Sequence, residues 1–180
     1  MSKEIHFLVI ESKKGNQKAQ MNLYDLYCDA MFVISCRYIK NREEVKDAMQ
    51  EGFLKAFLNL ENYKSGTNFS AWLKTIIINT CIDILKKRKL ETVSLENYPL
   101  EPSNDENWNF NINITKETIL ETIESLPIKY QLVIKLYLLE GYDHQEISEI
   151  LNIPIKTSRT QLRRAKLLLK DKLKTKKYGT

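Results

Sequence analysis

Six polar or basic side chains crowd one short segment near the end of the chain: Lys156, Thr157, Ser158, Arg159, Gln161 and Arg163. Arginine and lysine can donate to guanine edges, glutamine can pair with adenine, and serine or threonine can hold a phosphate oxygen. Leu162, Ala165, Leu168 and Leu169 would make the opposite, buried stripe of a helix, leaving Arg164, Lys166 and Lys170 for a phosphate backbone. A second group lies earlier, where Tyr63, Asn68, Phe69 and Trp72 precede the basic run Lys86, Lys87, Arg88, Lys89. Exposed aromatic rings can stack on unpaired bases, worth roughly 1–3 kcal/mol per base, while the cations hold the strand. Trp72, Ile76, Asn79, Asp83 and Lys86 share one side at helical spacing. The plainer alternatives are a solvated basic face for the first group and a core tryptophan for the second.

Other chemistries find little support. Cys28, Cys36 and Cys81 form no CxxC pair, and their apolar neighbours suit small core residues. His6 and His144 are far apart and lack an HExxH context, so neither metal ligation nor nucleophilic catalysis is expected. No cofactor is expected either.

The 180 residues suffice for one ordinary domain or two small ones. Only five Gly and four Pro are present, with abundant Lys, Leu, Ile and Glu, a composition that favours helices over a many-stranded sheet. The formal charge of +5 is unevenly spread. Ten basic residues and one acid fall between Lys156 and Lys177, whereas Glu91–Thr115 holds five acids and no base. No segment has the ~20 consecutive apolar residues of a membrane span. The apolar run near the N-terminus is too short for a signal peptide, so a cytoplasmic protein is expected.

These patterns predict an all-α chain: two small helical domains joined by an acidic linker, the second ending in a helix-turn-helix. Residues 1–90 form the first module, with helices expected over Lys3–Ser12, Lys18–Tyr38, Asn41–Leu60 and Ser70–Arg88. In the second helix Leu23, Leu26, Tyr27, Ala30, Met31, Ile34 and Tyr38 recur as an inward stripe. Asn41 and Glu44 suit a capping box, followed by a stripe of Val45, Met49, Phe53, Ala56, Phe57 and Leu60. The other face of that helix carries Arg42, Glu43, Lys46, Asp47, Gln50, Glu51, Lys55 and Asn59, which read alone is only a solvated surface. Residues 91–114, with Pro99 and Pro102, lose periodicity and read as the linker. Residues 115–180 form the second module. There Pro127 leads one helix and Gly141 ends it; Asp143 and Glu146 cap a short helix, Asn152 makes a left-handed turn, and a long basic helix runs from Ile155 to Leu173.

The strings EEVKDAMQEGFLKAFLNLENY and FSAWLKTIIINTCIDILKKRK closely resemble region two of the sigma-70 family, extracytoplasmic-function subgroup. ESLPIKYQLVIKLYLLEGYDHQEISEILNIPIKTSRTQLRRAKLLLK resembles region four of the same subgroup. The resemblance covers nearly the whole chain, in the family's order, with too short a linker for a third domain. It implies a sigma factor that binds core RNA polymerase and directs promoter-specific initiation, with any catalysis left to the polymerase. Asp47, Gln50, Glu51 and Phe53 match the motif that docks on the β′ clamp helices. The loop 61–69 and the helix from Trp72 to Lys87 would capture the melted −10 element, with Tyr63, Asn68, Phe69, Trp72, Asn79, Lys86 and Lys87 as contacts and Asp83 touching DNA or holding the helix. Region four would read the −35 duplex through Lys156, Thr157, Ser158, Arg159, Gln161, Arg163 and Arg164, and bind the β flap. The acidic linker would thread a basic channel of the polymerase. Members of the subgroup are often held by an anti-sigma factor, which joins the candidate partners; no small-molecule substrate is implied.

Four residues depart from the family pattern: Pro154 where a capping serine is common, Asn152 for a commoner glycine, and the pair Ala48-Met49 for bulkier pairs. Two other functions remain open to test. A stand-alone helix-turn-helix regulator would need a dimerisation segment that is not evident, and a nucleic-acid-processing enzyme would need a carboxylate or metal cluster.

Overall fold

The computed structural model describes residues 3–64, 67–91 and 114–178. Among them every regular element is helical. They fall into two compact units, one within Met1–Ser94 and the other within Leu95–Thr180. Of the expected acidic linker, residues 92–113 lie outside the described residues, and Glu91 is the last residue of the preceding helix.

The first unit contains α1 (Lys3–Lys13), α2 (Gln17–Cys36), α3 (Arg42–Leu58) and α4 (Phe69–Glu91), with a single 3₁₀ turn at Leu60–Asn62. Local polar side chains set its boundaries. Asn16 accepts from Ala19 N at the start of α2, and Asn41 accepts from Glu43 N and Glu44 N at the start of α3. Each satisfies donors that a helix start leaves open. The expected second half of the α3 capping box is absent, because Glu44 pairs with Arg88 of α4.

Helices α2, α3 and α4 pack mutually, and α1 lies on α2. Leu23 and Met31 of α2, Val45, Ala48, Met49, Phe53 and Ala56 of α3, and Leu73, Ile77, Ile78 and Ile82 of α4 are buried. Tyr24 meets Phe53 at 4.7 Å between centroids and Tyr27 meets Phe69 at 5.5 Å, joining α2 to both neighbours. The expected α2 stripe is too wide: Leu26 is 57% exposed and Ala30 is also at the surface, since the packed neighbours cover a narrower arc. Cys81 is buried as expected, but Cys36 is exposed and Cys28 half-buried.

The second unit contains α5 (Lys116–Glu124), α6 (Ile128–Leu138), α7 (His144–Leu151) and α8 (Ile155–Tyr178). Thr115 caps α5 and Pro127 occupies the capping position of α6. Gln131 Nε2 donates to Glu124 O and Leu126 O, both at 2.7 Å, closing the turn between them. Lys135, only 3% exposed, pairs with Glu124, so its charge is compensated inside the bundle. Both α6 and α7 pack on α8, whose Leu162, Ala165, Leu169 and Leu173 are buried.

Candidate protein-docking and nucleic-acid interfaces

On α3, Asp47, Gln50 and Glu51 are exposed on one side, one helical turn apart. The same side continues into Leu54, 59% exposed, and Leu58, 74% exposed. A polar start and an apolar end are a surface suited to a protein partner. Phe53 does not belong to it. It is 3% exposed and lies against Tyr24 and Phe57, so its expected docking role is corrected to a core role. Leu54 and Leu58 add to the charged residues expected on this face, and their place in the sequence, off the buried stripe, is the signal that marks them.

The loop before α4 is built on rings that face inward. Tyr63 and Phe69 are each 2% exposed and meet edge to face at 5.4 Å. Trp72, half-buried, lies 5.3 Å from Tyr63 and 5.6 Å from Phe69. The Tyr63 hydroxyl donates to Thr67 O at 2.6 Å. Expected stacking by Tyr63 and Phe69 is therefore corrected: both rings are consumed by the core, and Trp72 is the member of the cluster with open surface. Asn68 is exposed, and its carboxamide oxygen caps α4 by accepting from Ser70 N at 3.0 Å and Ala71 N at 3.4 Å.

Along α4, Asn79 is half-buried and Asp83, Lys86, Lys87 and Arg88 are exposed. The side chain of Lys89 lies outside the described residues. Burial pushes the Cys81 thiol up to about 11, where it stays protonated at neutral pH.

In the second unit, the expected capping box at α7 is complete. Asp143 Oδ1 accepts from Gln145 N at 2.8 Å and Glu146 N at 2.9 Å, and Glu146 Oε2 accepts from Asp143 N at 2.8 Å. Asn152 has φ 54°, the left-handed conformation that turns the chain toward α8. Ser148 donates to Ile153 O at 2.6 Å, and the Pro154 carbonyl accepts from Ser158 N at 3.0 Å, beginning α8 without a side-chain cap from Pro154.

Lys156, Arg159, Arg163 and Arg164 of α8 are exposed, and Thr157 and Gln161 are half-buried. Thr160, absent from the expected contacts, is exposed between Arg159 and Arg163 and belongs to the same face. Ser158 is corrected. It is fully buried, and its hydroxyl is 2.9 Å from His144 Nδ1. A groove of about 490 Å³ runs beside this face, between Lys129 and Tyr130 of α6 and Lys156, Gln161 and Arg164 of α8. It carries cations and no acid on its walls, as an anionic polymer requires.

Residues 23–91 match the family described as Sigma-70 region 2, and residues 116–169 match Sigma-70, region 4. The chain is 31% identical to the ECF RNA polymerase sigma factor SigW of Bacillus subtilis (strain 168), over 90% of this chain and 92% of that one. The chain belongs to the sigma-70 family, extracytoplasmic-function subgroup. The ECF RNA polymerase sigma-E factor of Escherichia coli (strain K12) is 29% identical, over 92% of each chain. The fold of this sigma factor is also that of CnrH, solved in complex with the cytosolic domain of CnrY, with a TM-score of 0.58 and 20% identity over 96% of this chain and 98% of that one. The sigma factor RpoE from Bartonella quintana, solved in complex with the anti-sigma factor NepR, gives the same TM-score and identity over 86% and 96%.

As an extracytoplasmic-function sigma factor, the protein directs promoter-specific transcription initiation by RNA polymerase. Sigma factors are initiation factors rather than enzymes. The region 2 match spans α3 and α4, which carry the docking-type face and the aromatic loop; the region 4 match spans α5 to most of α8. No helix of the sigma factor, among the described residues, is long and apolar enough to cross a membrane.

Proposed function

We propose a division of labour within the sigma factor. Region 2, residues 1–90, docks on the β′ clamp helices of core polymerase through Asp47, Gln50, Glu51, Leu54 and Leu58. The same module receives the melted −10 element on Asn68, Trp72, Asn79, Lys86 and Lys87, with Tyr63 and Phe69 supporting from within. Extruding a base costs a few kcal/mol, which stacking on Trp72 and backbone contacts to the lysines offset.

Region 4, residues 115–180, reads the −35 duplex with Lys156, Thr157, Arg159, Thr160, Gln161, Arg163 and Arg164, and binds the β flap. Residues 91–114 thread a basic channel of the polymerase that leads toward its active site. The protein works in the cytoplasm without a cofactor, small-molecule substrate or catalysis of its own. An anti-sigma factor is a further partner, in keeping with the complexes solved for CnrH and RpoE.

The observation that carries this reading is the exposed line Lys156, Arg159, Thr160, Arg163 on a helix set behind a capped short helix and a left-handed turn. The test is association of the purified protein with bacterial core RNA polymerase, followed by run-off transcription on genomic fragments. Stable association with discrete new transcripts supports the reading. No association, with tight autonomous binding to a palindromic duplex, replaces it with a stand-alone regulator.

A further inference from the structure

The reading helix needs more than an exposed face, because hydrogen bonds to base edges tolerate only a few tenths of an ångström. Most of the buried contacts of α8 are apolar: Leu162, Ala165, Leu169 and Leu173. Such contacts hold a helix down but are weakly directional. A rotation of roughly 10° about the axis moves the outer surface of a helix by about 1 Å, given its ~5–6 Å radius. That suffices to misplace an arginine reading a guanine.

A directional contact at the start of α8 opposes such rotation. His144, the first residue of α7, brings Nδ1 to 2.9 Å from the hydroxyl of Ser158 in α8. Ser158 directly precedes Arg159, so its inward bond and the outward reach of Arg159 are fixed by the same turn of helix. The imidazole is itself held from α6, where the Tyr137 ring stacks on it at 5.2 Å and 28°. Lys166 of α8 lies over the same Tyr137 ring at 5.4 Å. Three helices thus meet through one imidazole and one phenol.

We propose that His144 is a positioning residue for promoter recognition, setting the azimuth of α8 through Ser158 so that Arg159 and its neighbours meet the base edges in register. This rests on α8 being the reading helix. His144 touches no base itself; it acts through Ser158.

The experiment uses full-length protein in holoenzyme on a promoter mapped by run-off transcription. It measures discrimination, the affinity ratio between that promoter and versions with single base changes in the upstream element. His144→Ala and Ser158→Ala each lower discrimination roughly three- to tenfold, the range of one net hydrogen bond, and the double variant loses no more than either alone. His144→Asn, whose amide can stand where Nδ1 stands, retains discrimination within about twofold; His144→Gln, whose amide reaches past that position, does not. Core-polymerase affinity and circular-dichroism melts of the variants identify any that fail to fold, and Ser158→Thr, which keeps the hydroxyl, serves in place of one that does. The inference is overturned if folded His144→Ala discriminates as wild type does, or if His144→Asn loses as much as His144→Ala. If Arg159→Ala leaves discrimination intact, the assignment of α8 as reading helix fails first and the positioning role falls with it.

Discussion

Gly52 of α3 faces Ile77 of α4 so closely that a Cβ at position 52 would stand 2.5 Å from Ile77 Cδ1. A glycine inside a helix costs up to about 1 kcal/mol relative to alanine. Here it permits two helices to approach where Ile77 is fully buried. Gly52→Ala regains helix propensity but overpacks the contact, a cost of about 1–3 kcal/mol. The expected net result is a loss of about 1 kcal/mol, measured by denaturant unfolding. Adding Ile77→Val, which removes the offending methyl, should recover much of it. A double variant less stable than Gly52→Ala would show that the clash is not what matters.

On α3 the proposed docking role can be tested apart from folding. Leu58→Ser leaves thermal stability near wild type, because the side chain is 74% exposed in the free protein. If this leucine is buried against polymerase, its removal weakens association tenfold or more, from about 1.5–3 kcal/mol per buried leucine. Replacing Gln50 and Glu51 together should also weaken association. Phe53→Ala behaves oppositely, losing about 3–5 kcal/mol of stability as a cavity opens beside Tyr24. Titration against core polymerase alongside thermal melts distinguishes the two classes.

The contrast between Phe53 and Leu58 shows what could be read from the residues alone. Features decided within a few positions were legible: the Asp143–Glu146 capping box, the left-handed Asn152 and the buried stripe of α3. Features decided by distant neighbours were not. Glu44 had the spacing of a capping partner, but Arg88 lies 44 positions away and claims it. Tyr63, Phe69 and Ser158 had the right types for nucleic-acid contact, and only tertiary packing turns them inward. Leu54 and Leu58 stand out only as leucines off the buried stripe, because periodicity marks a helix face without saying whether a partner covers it.

On α8, Arg159→Ala or Arg163→Ala should each reduce upstream-element affinity by about 1–3 kcal/mol and relax preference at one position, if either makes a good base contact. Lys170→Ala, farther along the helix, should weaken all sequences alike and lower the slope of log affinity against log salt. Binding curves on the mapped promoter and its single-base variants decide the matter. Equal base preference in wild type and both arginine variants would remove them from the reading set.

Acidification should loosen the second unit. Burial and the nearby Arg159 guanidinium lower the His144 pKa; Asp143 opposes the shift, and Lys166 adds to it. Tyr137, stacked on the ring, is the neighbour from α6. A histidine harder to protonate when folded binds more protons when unfolded, so stability rises with pH. The contribution is complete above the unfolded value near 6.5 and is lost as pH falls through it toward the lower folded value. Melting curves between pH 7.5 and about 5 should show a decline that His144→Asn reduces. An identical decline in both proteins would place the titration elsewhere.

The proposed role of the loop before α4 in receiving DNA bears on where the barrier to capture lies. Tyr63 is anchored by its hydroxyl to Thr67 and by its ring to Phe69 and Trp72. Residues on either side of the loop are thereby fastened to one another while the protein folds, and the chain entropy of bringing them together is already lost before any strand arrives. Lys64, Thr67 and Asn68 stay at the surface of this frame. A strand engaging them would meet a preorganised receptor, so the barrier to capture would lie in the DNA: the ease with which a given sequence unstacks, rather than the time the protein takes to shape itself.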